Sequence, residues 1–213
     1  MQAGGVGLSS HPCHIGVEAY ADRMSDFAHD LPLSNRPRVD ESQVTSDRRV
    51  ALADVIDEAA RLLSISSADE AASAILARQF VVDARLDKNA SAIAAMGPIS
   101  LLSELSSGVR AGRRRGVRAL SHAVRAVLRI GAAVDAEPRL PATTWGAVAL
   151  YAATAAPLER RVVVAGHALR ATDADWAFGR GPTLEGRSID IVAFLLGTSE
   201  VPPAPGGTTG APS

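Results

Sequence analysis

The sequence predicts a mainly α chain, an antiparallel four-helix bundle followed by a short antiparallel sheet and one helix. Three observations predict it. Apolar residues recur at steps of three and four from Val17 to about Tyr151. Glycine and proline interrupt that period at points that leave loops short enough to set successive helices antiparallel. Beyond about residue 160 the period changes from 3.6 to 2, as in strands.

Taken in order, Val17, Tyr20, Met24, Phe27 and Leu31 form one apolar stripe, stopped by Pro32 and Asn35-Arg36-Pro37. A polar stretch, Asp40 to Asp47, leads to a second helix in which Val50, Val55, Ala59, Leu62 and Leu63 face inward. Asp54 and Glu58 share another of its faces, one turn apart. Ser67 and Glu70 have capping-box spacing and open a long third helix through about Ala95, broken by Gly97-Pro98. A shorter helix carries Leu101, Leu102 and Leu105 and ends at Gly108, read as a left-handed cap. Val109 to Gly116 is an arginine-rich loop. Val117, Leu120, Val124, Val127 and Leu128 then make the buried face of another helix, closed by Gly131. Pro141 and Thr144 introduce a helix with Trp145, Val148 and Tyr151.

Strands are expected from there. Arg161 to Ala165 is β-branched and His167 to Thr172 alternates. Asp173 to Asp175 reads as a turn, Trp176 and Phe178 alternate again, and Gly179, Gly181 and Pro182 make the next turn. Ser188 is read as the cap of a last helix carrying Ile189, Ile191, Val192 and Phe194, ended by Gly197. The expected organisation is a flexible segment 1–15, a helical bundle 16–158, a sheet-plus-helix part 159–198 and a disordered tail 199–213.

Composition narrows the function classes. The 213 residues hold 22 Lys plus Arg and 23 Asp plus Glu, and 47% are hydrophobic. That balance describes neither a disordered polyelectrolyte nor a globally basic nucleic-acid binder. A single cysteine, Cys13, makes no internal disulfide and favours a reducing compartment. Aromatics are only 4%, so Ala, Leu, Val and Ile must fill the core. Lys88 is the only lysine, an arginine bias that reads as base composition. The start lacks a basic and apolar leader pattern, and no apolar run approaches the roughly 20 residues of a spanning helix. The expectation is a soluble, cytoplasmic protein without a membrane partner.

One stretch carries a resemblance. Leu169 to Gly197, LRATDADWAFGRGPTLEGRSIDIVAFLLG, resembles the C-terminal signature L-x-A-T-D-x-D-W-x-x-G-x-G-P-x-x-x-G, followed by a helix, of the mycothiol-dependent maleylpyruvate isomerase family of actinobacteria. Upstream, Phe80 to Asn89 is similar to its F-D-x-x-N segment, Leu101 to Arg115 to its L-x-x-L-R stretch and arginine-rich loop, and His122 to Gly131 to its H-G-E-D-I-R-R-P-L-G segment. The resemblance extends over about residues 17–198. It implies a DinB-like bundle holding a divalent metal, usually zinc, with three ligands: a His ending a W-T-V-R-D-V-x-x-H motif and an E-x-x-x-H pair. Such an open site holds a thiol cofactor, here mycothiol, as thiolate.

Carried across, the second His of the pair falls on His122, and Arg118 stands where its carboxylate partner should be. Glu58 of Asp54-Val55-Ile56-Asp57-Glu58 stands in the place of the first His, with Asp57 selected if the register slips by one. Arginine offers no lone pair to a metal. Arg118, His122, Arg125 and Arg129 step by four, three and four, so three cations share a helical stripe with the histidine. A salt bridge from Glu58 or Asp54 to Arg118 is expected at the former metal position.

Other candidates have plainer readings. His11 and His14 around Pro12-Cys13 suggest a metal pair but lack a second cluster, and Cys13 lacks a positioned base. His29 reads as a surface residue and His167 as a packing residue in a strand. Arg110, Arg113, Arg114 and Arg115 could touch phosphate, yet no aromatic stackers or reading motif accompany them, so nucleic acid is disfavoured. Trp145 and Trp176 read as core anchors, and Gly179-Arg180-Gly181 lacks the context of a phosphate loop. The leading expectation is a divergent maleylpyruvate isomerase-like protein with an eroded metal site. If it is an enzyme, His122 and Glu58 are the retained ligands of thiol-assisted isomerisation or transfer. The alternative is a non-catalytic protein that holds a carboxylate or phosphate on Arg118, Arg125 and Arg129. A partner-binding regulatory bundle is a third reading.

Overall fold

Helix α1, Arg49–Ile65, buries Leu52, Val55, Ile56, Ala59 and Leu62, residues at helical spacing on one face. The computed structural model describes residues 46–86 and 97–207. The first expected helix, the His11 to His14 motif, His29, the helix beyond Leu86 and the chain after Gly207 lie outside the described residues. The chain divides into two units, Met1–Val44 and Thr45–Ser213, and every described helix and strand belongs to the second.

Among the described residues there are seven helices and four short strands. Helix α2 is Glu70–Asp83, α3 is Pro98–Ala111, α4 is Val117–Ala133 and α5 is Ala142–Ala155. They are followed by α6, Leu158–Val164, strands β1 (Ala168–Ala171), β2 (Ala177–Gly179) and β3 (Thr183–Gly186), helix α7 (Ser188–Leu196) and strand β4 (Ala204–Pro205). The chain is mainly helical with a small sheet and one helix late in the sequence, as the periodicity predicts. No described helix is long and apolar enough to cross a membrane.

Helices α1 and α3 lie antiparallel. The Arg49 guanidinium donates to the Gly112 carbonyl, Arg110 reaches Asp54 and Asp57, and the Ser106 hydroxyl donates to the Ala53 carbonyl. Helix α4 packs against α1, α2, α5 and α7, with Leu120, Ala123, Val124 and Val127 fully excluded from water. Each such Leu or Val contributes roughly 1.5–3 kcal/mol on burial. Small residues at the contacts, such as Ala53, Ala59 and Ala123, let the helices approach closely. That is how a core so poor in aromatics closes.

The helix ends differ from the sequence reading in physical detail. Asp69, not Ser67, caps α2 through a bond from the Ala72 amide to its carboxylate at 2.7 Å. Helix α2 ends at Ala84 instead of running on, because Arg85 turns left-handed (φ 56°) and the Leu86 amide bonds back to Val81 O at 2.9 Å. Gly108 stays inside α3, whose end at Gly112 is extended, not left-handed. Helix α4 runs past Gly131, where a Cβ would meet Ala136 O at 2.6 Å and Pro138 Cδ at 2.9 Å. Glycine there lets the α4–α5 connection fold back over its own helix.

Arg161 to Val164 is helical rather than a strand, with Ala165 its extended cap: Pro157 precedes α6, and only Val164 of its valines is buried. A local β-branched run does not decide the state when one contact per turn suffices. The sheet is mixed, in order β2-β1-β3-β4, and not purely antiparallel. Strand β1 pairs antiparallel with β2 (Leu169 opposite Phe178) and parallel with β3 (Leu169 opposite Leu184). Gly179 and Gly181, at φ 97° and 107°, carry the chain across so tightly that a Cβ on Gly181 would sit 2.0 Å from the Gly166 carbonyl oxygen. The expected tail instead supplies β4, antiparallel to β3.

Helix α7 is pinned at both ends. Asp173 Oδ1 accepts from the Ser188 amide and hydroxyl, each at 2.7 Å, so Ser188 is the capped residue rather than the cap. Burial opposes ionisation of Asp173, and these two bonds outweigh it, holding its carboxyl below the usual range. At the other end Gly197 turns left-handed (φ 73°), and Arg160 donates to Phe194 O and Ser199 O while lying over the Phe194 ring. Replacing Gly131→Ala is expected to destabilise the fold by about 1–3 kcal/mol through overpacking. Urea unfolding checks this, and an unchanged midpoint contradicts it.

Candidate functional site

Apart from Ser121, the buried positions of α4 are apolar, so its cations lie along the remaining face. Arg118, Arg125 and Arg129 are exposed there and His122 is half-buried among them. Arg129 is taken: its guanidinium meets Asp83 at 2.7 Å. Arg118 and Arg125 have no carboxylate partner among the described residues.

The expected salt bridge to Arg118 does not form. Both oxygens of the buried Glu58 carboxylate are engaged elsewhere, with the Arg61 Nε and Nη2 atoms at 2.6 Å each and with the Arg139 amide at 2.6 Å. Asp54 and Asp57 clasp Arg110, at 2.7 and 2.6 Å. The reason is helix rotation: Asp54 and Asp57 face α3, whereas Glu58 faces the connection after α4. Glu58 is the one buried ionisable side chain among the described residues, and it ties that connection to α1. Neither Arg61 nor the Arg139 amide is among its expected partners. An i,i+3 Glu–Arg spacing on α1 signals the first, and no local pattern signals the second.

His122 and Glu58, the ligands that the resemblance leaves, do not fit a divalent cation as they are arranged. Glu58 has no free oxygen, and Arg85, Arg118 and Arg125 surround His122 with positive charge. No group of three or more His, Cys, Asp or Glu that could hold a metal occurs among the described residues.

The structure instead sets His122 and Arg118 between two cavities. One, of about 490 Å³, is an open cleft lined by Arg85, Arg113, Arg114, Arg115, Arg118 and His122, with no acidic residue on its walls among the described residues. Gly116, which starts α4 without a side-chain cap, also lines it, so the helix presents its first amides and positive dipole end here. The other, of about 270 Å³, has Arg118, His122 and Arg125 on one side and Tyr151, Leu195 and Leu196 on another. The run Arg113 to Arg115 is visible in the sequence. Arg85 is not, because only the left-handed turn after α2 brings it to the cleft. A non-glycine residue in that conformation costs roughly 1–2 kcal/mol.

His167, expected inside a strand, sits just before β1 with Nδ1 3.0 Å from Ala165 O. Trp176 stacks on Phe178 and lies against Gly146, whose Cβ would meet its ring at 3.2 Å. Both stand apart from the arginine cleft.

His122 Nε2 is buried without a hydrogen-bond partner. Its pKa lies below the ordinary 6.5, first through desolvation and then through the cations Arg85, Arg118 and Arg125. As pH falls through about 6.5 the unfolded chain takes up this proton before the folded one. Stability is therefore expected to decline through that window and to level off below the folded-state pKa. Urea midpoints between pH 7.5 and 5 should fall less steeply in His122→Gln than in the parent, and equal slopes contradict the assignment.

Comparison with family models, curated proteins and solved structures returns no match for this chain.

Proposed function

We propose that the chain is a divergent, DinB-like member of the maleylpyruvate isomerase-like group that binds a small anionic metabolite, a carboxylate or phosphate, in the arginine cleft at the start of α4. The observation that carries this reading is the composition of that cleft: among the described residues, five guanidiniums, one imidazole and no carboxylate. Asp54, Asp57, Glu58, Asp83, Glu137, Glu185 and Glu200 pair with arginines outside the cleft, and Asp47 pairs with Arg49 while accepting from the Arg115 amide. Arginine gathered without counter-charge costs self-repulsion, which a bound anion relieves. At 4 Å each cation–anion contact contributes about 1–4 kcal/mol between the limits of water and a protein surface. Planar guanidinium forks match carboxylate and phosphate oxygens in pairs.

The family reading rests on the Leu169–Gly197 string and on the order of the elements, helices first and a small sheet with one helix after them. Antiparallel α1 and α3 with α4 between further helices is the arrangement a DinB-like bundle would need. The arginine cleft favours binding over metal-thiolate chemistry, because the mapped ligand positions carry Arg118 and an already engaged Glu58.

The test is thermal unfolding at constant ionic strength with phosphate or citrate, repeated with zinc. An anion at 100 times its Kd stabilises by about 2.7 kcal/mol, which raises the Tm of a chain this long by several degrees. Arg114→Ala with Arg118→Ala should abolish that rise, and zinc should produce none. An anion response that survives both substitutions contradicts the site. A duplex oligonucleotide that binds and resists displacement by these anions contradicts the ligand class.

A second expectation concerns Arg85. Exchange for glycine removes the strained conformation and one cation together. Arg85→Gly should change stability by less than about 1 kcal/mol, since relieved strain and added chain entropy oppose each other. Its anion affinity should nevertheless fall, and calorimetric titration against the parent checks the separation.

A further inference from the structure

We propose that the two cavities beside His122 are halves of one site, and that the ligand is a phosphoryl compound bearing a small apolar group. This rests on the anion-binding reading above and adds the ligand's chemistry. Arg118 and His122 line both cavities, so these side chains are the wall the two share, and Arg118 is exposed, so its movement would let one molecule reach across.

The two sides differ in character. The larger cleft is cationic, with five arginines and no acid among the described residues. A monocarboxylate offsets one of those charges, whereas a phosphomonoester, with its second pKa near 6, carries close to two at neutral pH. The α4 amides at Gly116 add a further preference for a phosphoryl group. The smaller cavity has an apolar floor, from Ala152, Ala155, Leu195 and Leu196, beneath Arg118 and Arg125. Its 270 Å³ exceeds the roughly 150 Å³ known to admit benzene, so one ring or a short branched chain fits.

His122 supplies the link. Its Nε2 is buried and unpartnered at the junction. His122 lines both cavities, and a phosphoryl group bound beside it offsets the repulsion from Arg85, Arg118 and Arg125, which acts together with the larger effect of desolvation to depress its basicity.

Calorimetric titration of the full chain with inorganic phosphate, phenyl phosphate, benzoate and phenol tests the proposal. Phenyl phosphate is expected to bind about tenfold or more tightly than phosphate, the order that burying a ring's apolar surface supplies. Benzoate should bind more weakly than phenyl phosphate, and phenol alone should not register. Ala155→Phe, at an exposed position, places a ring in the smaller cavity and should erase the difference between phenyl phosphate and phosphate. Leu196→Asn, half-buried, tests the same floor if the first variant folds poorly. Equal binding of phosphate and phenyl phosphate overturns this inference while leaving the anion-binding reading intact. Binding of none of the anions overturns both, and benzoate binding more tightly than phenyl phosphate overturns the choice of a phosphoryl group.

Discussion

The burial of one face of helix α4 governs the geometry around it. That apolar face meets α1, α2, α5 and α7, so the helix's rotation about its own axis is set by four neighbours at once. Leu120, Val124 and Val127 cannot leave the core without losing burial worth several kcal/mol together. Arg118, His122 and Arg125 are thereby held on the opposite side, and the arginine loop before the helix is delivered to the same place. The cationic cleft is a consequence of packing as much as of charge.

Charge pairing elsewhere sharpens that consequence. Net charge is −1, yet the acids are not spread evenly. Asp54 and Asp57 share Arg110, Asp83 holds Arg129, and Glu58 is enclosed by Arg61 and the Arg139 amide. Each pair between exposed groups stabilises the fold little. Their joint effect is positional: these acids pair away from the start of α4, where Asp47 bonds the Arg115 amide and the guanidiniums of Arg113 to Arg115 and Arg118 have no ion pair among the described residues. Glu58 is the exception in placement: its buried carboxylate receives both the Arg61 guanidinium and the Arg139 amide.

The string Ala171 to Trp176 performs structural work. The Thr172 amide bonds to Gly186 O, Asp173 holds the start of α7, and Trp176 fills the space left by Gly146. Together with Arg160 at the far end, these contacts seat α7 against α5, with Leu195 and Leu196 forming the floor of the smaller cavity. A motif that resembles a family signature thus acts here on the geometry of the site, from outside it.

The helical face of each segment is legible in the sequence alone. The stripes of α1, α4 and α7 follow from the period of Leu, Val, Ile and Ala, and so does the cationic stripe on α4, because both are local properties of a 3.6-residue turn. Gly197 as a helix stop and Leu169 with Phe178 as strand residues are legible for the same local reason. Partner choice belongs to the tertiary structure. Whether Glu58 meets Arg118 or Arg61, whether β1 lies parallel to β3, and whether Arg161 to Ala165 coils or extends each depend on groups distant in sequence or on a burial shared with other elements. Arg85 joining Arg113 to Arg118 in one cleft is of the same kind. Periodicity specifies which way a side chain points, and only packing specifies what it points at.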